Sequence, residues 1–492
     1  MWLALFFLGT CLWAQTEELA RDSQQAHDLM AAGQFEQAIP IYERMVKALP
    51  GNFGVLLNLG LAEHMAGHER EAITHLEAVL KAQPNQIPAL VTLAQVRLAL
   101  NEPNLAIAPL EKVVAAQPKN REARGMLAAA LLDAGRFEEA AARYREVSDA
   151  APDDARAWYG LGMSYQGLAG SVFDKLQKID PTSPYVSALV ADTRVQRRQY
   201  RSAFFFYNEA LKKLPNLHGV HTAIAAVYRK TGHPEWAASE EAKEAALPSA
   251  DCRVHSAECE FVAGHDLALV KTPRGEATAE TLFWQAKAAN ELALQSFFRL
   301  GQLPPSVELH QLKAEIARGQ GQYLESAQEW RAALELSPGN PRLQRELAVS
   351  LFMGADYRAA LDLATQLLKA DPRSPDLNFM AGDSLLRLEE PERALPYLEA
   401  ALKEDPKLAA ADASLGLVLA RLGKNAEAVP HLERALELDD DGSLHYQLAR
   451  AYQASGAAEK ARTTMAQYQE ILKRNEQVKD EVAREAQIAP PR

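Results

Sequence analysis

Aromatic residues are scarce in this 492-residue chain, at 7% of positions. Long β-branched runs are few, and the apolar content is carried by Ala and Leu. Such a balance favours helices over sheets. Basic residues are outnumbered, 53 Lys and Arg against 65 Asp and Glu, for a net charge of −12. A nucleic-acid binder needs a basic face, so that partner class is disfavoured. Catalytic signatures are missing as well: the chain has no GxSxG, no Walker loop and no HExxH. The apolar run at residues 2–14 is too short to span a bilayer, which takes about 20 residues. It reads as a signal segment over 1–14, cut near Ala14–Gln15, with a buried first helix or a short anchor as alternatives. No Lys or Arg precedes it, and the first is Arg21. Leu8-Gly9-Thr10-Cys11 is a poor lipobox because Thr10 is bulky, so membrane contact is expected only if Cys11 is lipidated.

What the chain has is periodicity. Pro50, Pro84, Pro118 and Pro152 recur every 34 residues, and so do Ala38, Ala72, Ala106 and Ala140. Gly33, Gly67 and Gly135 keep the same register, and Asn101 takes the third place, Asn being tolerant of left-handed backbone. Trp158, Leu161, Gly162 and Tyr165 stand at the spacing W-x2-L-G-x2-Y. These residues resemble the tetratricopeptide repeat, a 34-residue helix–turn–helix unit. The resemblance extends over nearly the whole chain and implies an all-α right-handed superhelix of about 13 units.

Two units depart from the register. After Tyr165 the next terminating proline is Pro181, only 29 residues past Pro152, and the turn glycine is lost. The two helices are expected to run together as one bent helix, with Gly167 and Gly170 near the bend. Leu292-Ala293, Phe297, Leu300, Leu303 and Pro305 repeat this pattern position for position, which points to two similar corners. Residues 249–281 break the register and read as one short helix around 255–270 followed by a loop at 272–275. The expected organisation is a signal segment (1–14), an N-terminal block (19–248), an irregular seam (249–281), a C-terminal block (282–466), and a solvating helix with a disordered tail (467–492). Cys252 and Cys259 sit in the seam. Seven residues along one helix is about 10 Å, too far for a disulfide, so pairing requires Cys252 in a turn before the helix that carries Cys259. A disulfide and two buried thiols both remain open.

No segment outside the repeats is large enough for a catalytic domain, and no cofactor is expected. Glu437, Asp439, Asp441 and Gly442 superficially resemble a calcium loop, but Leu448 stands where Glu is needed, so a helix-capping turn is expected. The histidines lack the spacing of a metal site. The resemblance implies that the fifth, ninth and twelfth positions of each unit line a concave face. By position these include Tyr159, Met163 and Gln166; Gln311, Glu315 and Arg318; Arg345, Val349 and Phe352; Phe379, Asp383 and Leu386; and Tyr446, Arg450 and Gln453. Arg318 and Arg345 beside Phe352 and Phe379 suggest a clamp for an extended peptide with acidic and apolar side chains. The expected function is a non-catalytic scaffold of the bacterial envelope that binds a protein or peptide on this face. An enzyme or enzyme subunit with a site on the repeat surface, and a cytosolic assembly scaffold, are the rivals.

Overall fold

The computed structural model describes residues 2–491 except 249–251, 253–255, 272–276 and 486; of 2–16 and 480–485 only the backbone is described. Among the described residues there are 26 α-helices and no strand. Four pairs come first: α1 (Trp2–Ala31) with α2 (Phe35–Ala48), α3 (Phe53–Ala66) with α4 (Glu69–Ala82), α5 (Ile87–Ala99) with α6 (Pro103–Ala116), and α7 (Arg121–Asp133) with α8 (Phe137–Ala150). A single long helix, α9 (Ala155–Ile179), follows. Next are α10 (Pro184–Gln196) with α11 (Tyr200–Lys213), α12 (Val220–Lys230) with α13 (Pro234–Ala246), and the short α14 (Ala257–Val262) and α15 (Asp266–Lys271). A second long helix is α16 (Ala279–Gly301). Five pairs close the chain: α17 (Val307–Gly319) with α18 (Tyr323–Leu336), α19 (Pro341–Met353) with α20 (Tyr357–Leu367), α21 (Pro375–Arg387) with α22 (Pro391–Glu404), α23 (Ala409–Arg421) with α24 (Asn425–Ala435), and α25 (Ser443–Ala454) with α26 (Ala458–Glu485).

Each pair turns on one residue in left-handed backbone. Gly33, Gly67, Asn101, Gly135, Arg198, Gly232, Gly321, Ala355, Glu389, Gly423 and Gly456 all have φ between 57° and 87°. The next amide reaches back five residues to close a Schellman-type bond, as in Gln34 N to Leu29 O (2.9 Å) and Asp356 N to Leu351 O (2.9 Å). Five residues after each turn a small side chain is buried: Ala38, Ala72, Ala106, Ala140, Ala203, Ala237, Ala360, Ala394 and Ala428 are wholly inaccessible. Ser326 takes that place once, with its Oγ 3.0 Å from Ser350 Oγ. The small residue lets the two helices of a pair close on each other, and at Gly60, Gly382 and Gly416 a leucine side chain of the partner helix packs directly on the glycine. A Cβ there would stand 3.0, 2.6 and 2.7 Å from Leu76, Leu398 and Leu432.

By internal contact the chain forms two units. Unit 1 comprises residues 1–172, 260–274 and 284–302; unit 2 comprises 173–259, 275–283 and 303–492. This division differs from two consecutive blocks meeting at 249–281, because the units interleave along the chain. The two long helices account for the difference. As expected from the shortened spacing, α9 runs unbroken for 25 residues and α16 for 23. Within unit 1, the first part of α9 takes the last part of α16 as its partner. Leu161 and Tyr165 share a core with Leu292 and Ala293, and a Cβ on Gly162 would lie 2.3 Å from the Phe297 ring. That glycine-to-ring contact repeats the Gly60–Leu76 contact of an ordinary pair, with a partner from 135 residues along the chain. Within unit 2, Phe283 at the start of α16 packs on Tyr185 with ring centroids 5.2 Å apart.

The seam holds two helices rather than the one expected. Gly264 (φ 72°) separates α14 from α15, and Leu269 is buried five residues later, so this is a shortened version of the same hairpin. The loop expected at 272–275 lies outside the described residues. Cys252, in a turn, is joined to Cys259 on α14 with Cα atoms 5.5 Å apart. Cys11 is among the residues described in backbone only. No helix of the described residues is long and apolar enough to cross a membrane.

Candidate recognition surface

The first helices of the C-terminal pairs carry most of the residues singled out from sequence. Asn340 caps α19, its side chain accepting from the amides of Arg342 (3.1 Å) and Leu343 (3.4 Å), and Ser374 caps α21 through the Leu377 amide (3.4 Å). Proline follows each cap at the first helical position, where its missing N–H costs nothing. These starts fix the rotation of α19 and α21, and with it the rings of Phe352 and Phe379. The two rings meet edge to face, 5.9 Å apart at 68°, and the Tyr357 ring lies 6.0 Å from that of Phe352. Both phenylalanines are half-buried against the core of unit 2, so each keeps an accessible edge. Val349, Ala413, Leu417 and Ala420 are also partly buried on the same core, and extend the apolar character along α19 and α23.

The charged residues stand differently from the expected clamp. Arg318 donates to Glu346 (2.6 Å), and Arg345 donates to Asp371 (2.7 Å) and Ser374 Oγ (3.4 Å). Each guanidinium thus reaches forward to the next pair of helices. Both pairs are partly exposed, and such pairs contribute about 0–1 kcal/mol, so an incoming carboxylate can compete for either arginine at small cost. Asp383 is only 4% exposed and accepts from Ser414 Oγ (2.6 Å) and Arg387 Nε (3.3 Å). It braces α21 against α23 and is not presented to a ligand. Tyr446 is 38% exposed, with Arg450 5.9 Å above its ring and Tyr468 at 5.5 Å on α26. Tyr159 is half-buried on α9 and belongs to unit 1, whereas Arg318, Arg345, Phe352, Phe379, Asp383, Tyr446 and Arg450 belong to unit 2. The structure therefore joins Phe352 to Phe379 and Tyr446 to Arg450.

Several other polar clusters brace the helices. Asp439 accepts from the amides of Leu444 (2.9 Å) and His445 (2.7 Å) and from His445 Nδ1 (2.6 Å), while Asp441 accepts from Ser443 N (2.8 Å). This is the capping turn before α25. The Ser443 amide bond holds the Asp441 carboxyl below its ordinary range. Asp412 on α23 is buried, which opposes its ionisation. Arg434 (2.6 and 3.0 Å) and His431 (2.7 Å) on α24 outweigh burial and hold its carboxyl below the usual value. His221–Glu240 (2.6 Å) and His310–Glu329 (2.7 Å) bridge their pairs at the same 19-residue spacing. Among the described residues no group of three or more His, Cys, Asp and Glu is placed to hold a metal ion.

Sequence reasoning did not anticipate a cleft of about 700 Å³ in unit 1. Arg145, Asp149 and Trp158 line one side of it, and Glu291, Leu294, Phe298 and Arg299 on α16 the other. Phe298 is 68% exposed and Leu294, one turn earlier, 57%. The cleft exists because α16 packs beside α9, a pairing that no local pattern announces.

Two family models, both described as Tetratricopeptide repeat, match this chain. One covers residues 29–96 and 97–162, the other 312–375, 354–409, 379–443 and 414–476. The chain is a tetratricopeptide-repeat protein. Such arrays serve as protein-interaction scaffolds and are typically non-catalytic. No curated protein sequence matches the chain. Among solved structures, a tetratricopeptide repeat protein from Parabacteroides merdae aligns with 68% of this chain and 99% of its own at 13% identity, TM-score 0.32. MamA aligns with 35% of this chain and 94% of its own at 16% identity, TM-score 0.30. YrrB, described as a TPR protein with an unusual peptide-binding site, aligns with 32% and 82% at 24% identity, TM-score 0.28.

Proposed function

We propose that this tetratricopeptide-repeat protein is a scaffold of the bacterial cell envelope that binds an extended protein segment on the first-helix face of its C-terminal pairs. The observation that carries this reading is the Phe352–Phe379 pair. Two half-buried aromatic rings from successive first helices keep accessible edges, and Arg318 and Arg345 on the first helices of the same run of pairs are held only in partly exposed ion pairs. Half-buried aromatic rings give contact area at low entropic cost, and arginine gives forked hydrogen bonding to a carboxylate. The ligand class is a segment with an apolar anchor and a nearby acidic residue. Selection from a library of extended peptides tests the reading. Ligands should emerge with an apolar and an acidic position, and Phe352→Ala or Phe379→Ala should weaken them at least tenfold. Ligands indifferent to both substitutions would refute it.

Export is supported by the apolar start of the chain and by the disulfide at Cys252–Cys259, since such bonds persist in oxidising compartments. Mass spectrometry of the mature protein should find an N-terminus near Gln15, and an intact Met1 would count for the cytosolic alternative.

A further inference from the structure

The C-terminal residues make a contact that their composition does not suggest. A tail ending in Ala-Pro-Pro-Arg is expected to be disordered, yet within unit 2 the Tyr228 hydroxyl donates to the carbonyl of Ala489 at 2.7 Å. The physical reason lies in the prolines. Pro490 and Pro491 have no N–H and cannot extend α26, and Ala489, preceding a proline, is held extended. The carbonyl of Ala489 is thus free for a donor outside the tail. Exposure along the tail has a period of three: Gln487, Ala489 and Pro490 are exposed, whereas Ile488 and Pro491 are partly covered. A polyproline II helix has three residues per turn, so Ile488 and Pro491 share one face.

The donor belongs to an aromatic group. Tyr228 on α12 packs against Phe204 on α11 at 5.5 Å and edge-on against Trp236 on α13 at 5.5 Å, and Trp236 stacks on His233 at 4.0 Å. An aromatic surface with a hydroxyl donor is the means by which proline-rich segments are recognised: flat rings take the ring of proline, and a donor takes the backbone carbonyl that proline leaves free. Tyrosine and tryptophan supply both in one side chain.

We propose that the Phe204–Tyr228–Trp236 surface is a binding site for extended, proline-containing segments with an aliphatic residue three positions before a proline. The chain's own Ile488–Pro491 is its resident occupant. A foreign segment of this type must displace the tail, so the tail sets the threshold for binding. The site is separate from the Phe352–Phe379 pair and does not depend on it.

The test compares the full chain with one ending at residue 486, using a fluorescein-labelled peptide that copies residues 487–492. The truncated chain should bind the peptide, with a rise in anisotropy and a change in tryptophan emission. The full chain should bind it at least tenfold more weakly, because a tethered competitor acts at roughly millimolar effective concentration. In the truncated chain, Tyr228→Phe should weaken binding about two- to tenfold at unchanged melting temperature, the value of one hydrogen bond. Replacing both prolines of the peptide by alanine should abolish binding. Absence of binding to the truncated chain, or equal binding to both chains, would overturn the proposal. Concentration-dependent dimerisation of the full chain that truncation abolishes would also overturn it, by placing the tail in a second copy.

Discussion

Single residues set the cost of each turn in this array. Seven of the eleven helix–helix turns with positive φ are made by glycine, but Arg198, Ala355 and Glu389 hold φ of 57°, 59° and 62° with a Cβ in place. A left-handed L-residue costs roughly 1–2 kcal/mol, and glycine returns part of that through its larger unfolded-state entropy. Ala355→Gly and Glu389→Gly should therefore each stabilise by ~0.5–1 kcal/mol in denaturant unfolding, and destabilisation by either would contradict the turn geometry. Asp412 makes a second prediction. Its carboxyl titrates lower in the folded chain, so its contribution is present above the unfolded carboxylate pKa and is lost as pH falls through the folded value. Asp412→Asn should cost about 1–3 kcal/mol near pH 7, the range for hydrogen bonds to a charged group. The gap between variant and parent should close below about pH 4. A pH-independent gap would show that packing, not charge, is lost.

Among the helices legibility divides. The 34-residue ladder of small residues, turn glycines and terminating prolines made every ordinary pair readable, because each pair closes on its own neighbours in sequence. The shortened spacing at Pro181 announced one merged helix, expected to be bent, and its echo at Pro305 a second corner of the same kind. The sequence could not say which helix each would pack on, since the partner of α9 in unit 1 lies more than a hundred residues away. Nor could it separate Phe352 and Phe379, which meet, from Asp383, which braces. All occupy positions expected to face inward, the twelfth, fifth and ninth of their units, and only the neighbours decide. The turns at Arg198, Ala355 and Glu389 were equally silent, as their conformation is imposed by packing on both sides. A double-mutant cycle tests the α9–α16 pairing. Gly162→Ala brings a Cβ into the Phe297 ring and should destabilise by about 1–3 kcal/mol. Phe297→Leu should relieve much of that loss, so the two effects should be non-additive. Strict additivity would separate the two helices.

At the scale of the whole molecule, interleaving changes what the seam does. Residues 249–281 contribute 260–274 to unit 1, and 249–259 with 275–281 to unit 2. Deleting them should lower the melting of both units, whereas consecutive blocks would each melt as before. Repeat stability is close to a sum of local and neighbour terms, so the loss should be graded and should not abolish folding. The central claim concerns recognition on the first helices of the C-terminal pairs, and hydrogen exchange reads that surface directly. With a library-selected peptide bound, amides of α19 and α21 should gain protection, while Phe352→Ala and Phe379→Ala should remove that protection without altering exchange in the free protein's other helices. Protection confined to other helices, or unchanged by both substitutions, would contradict the account.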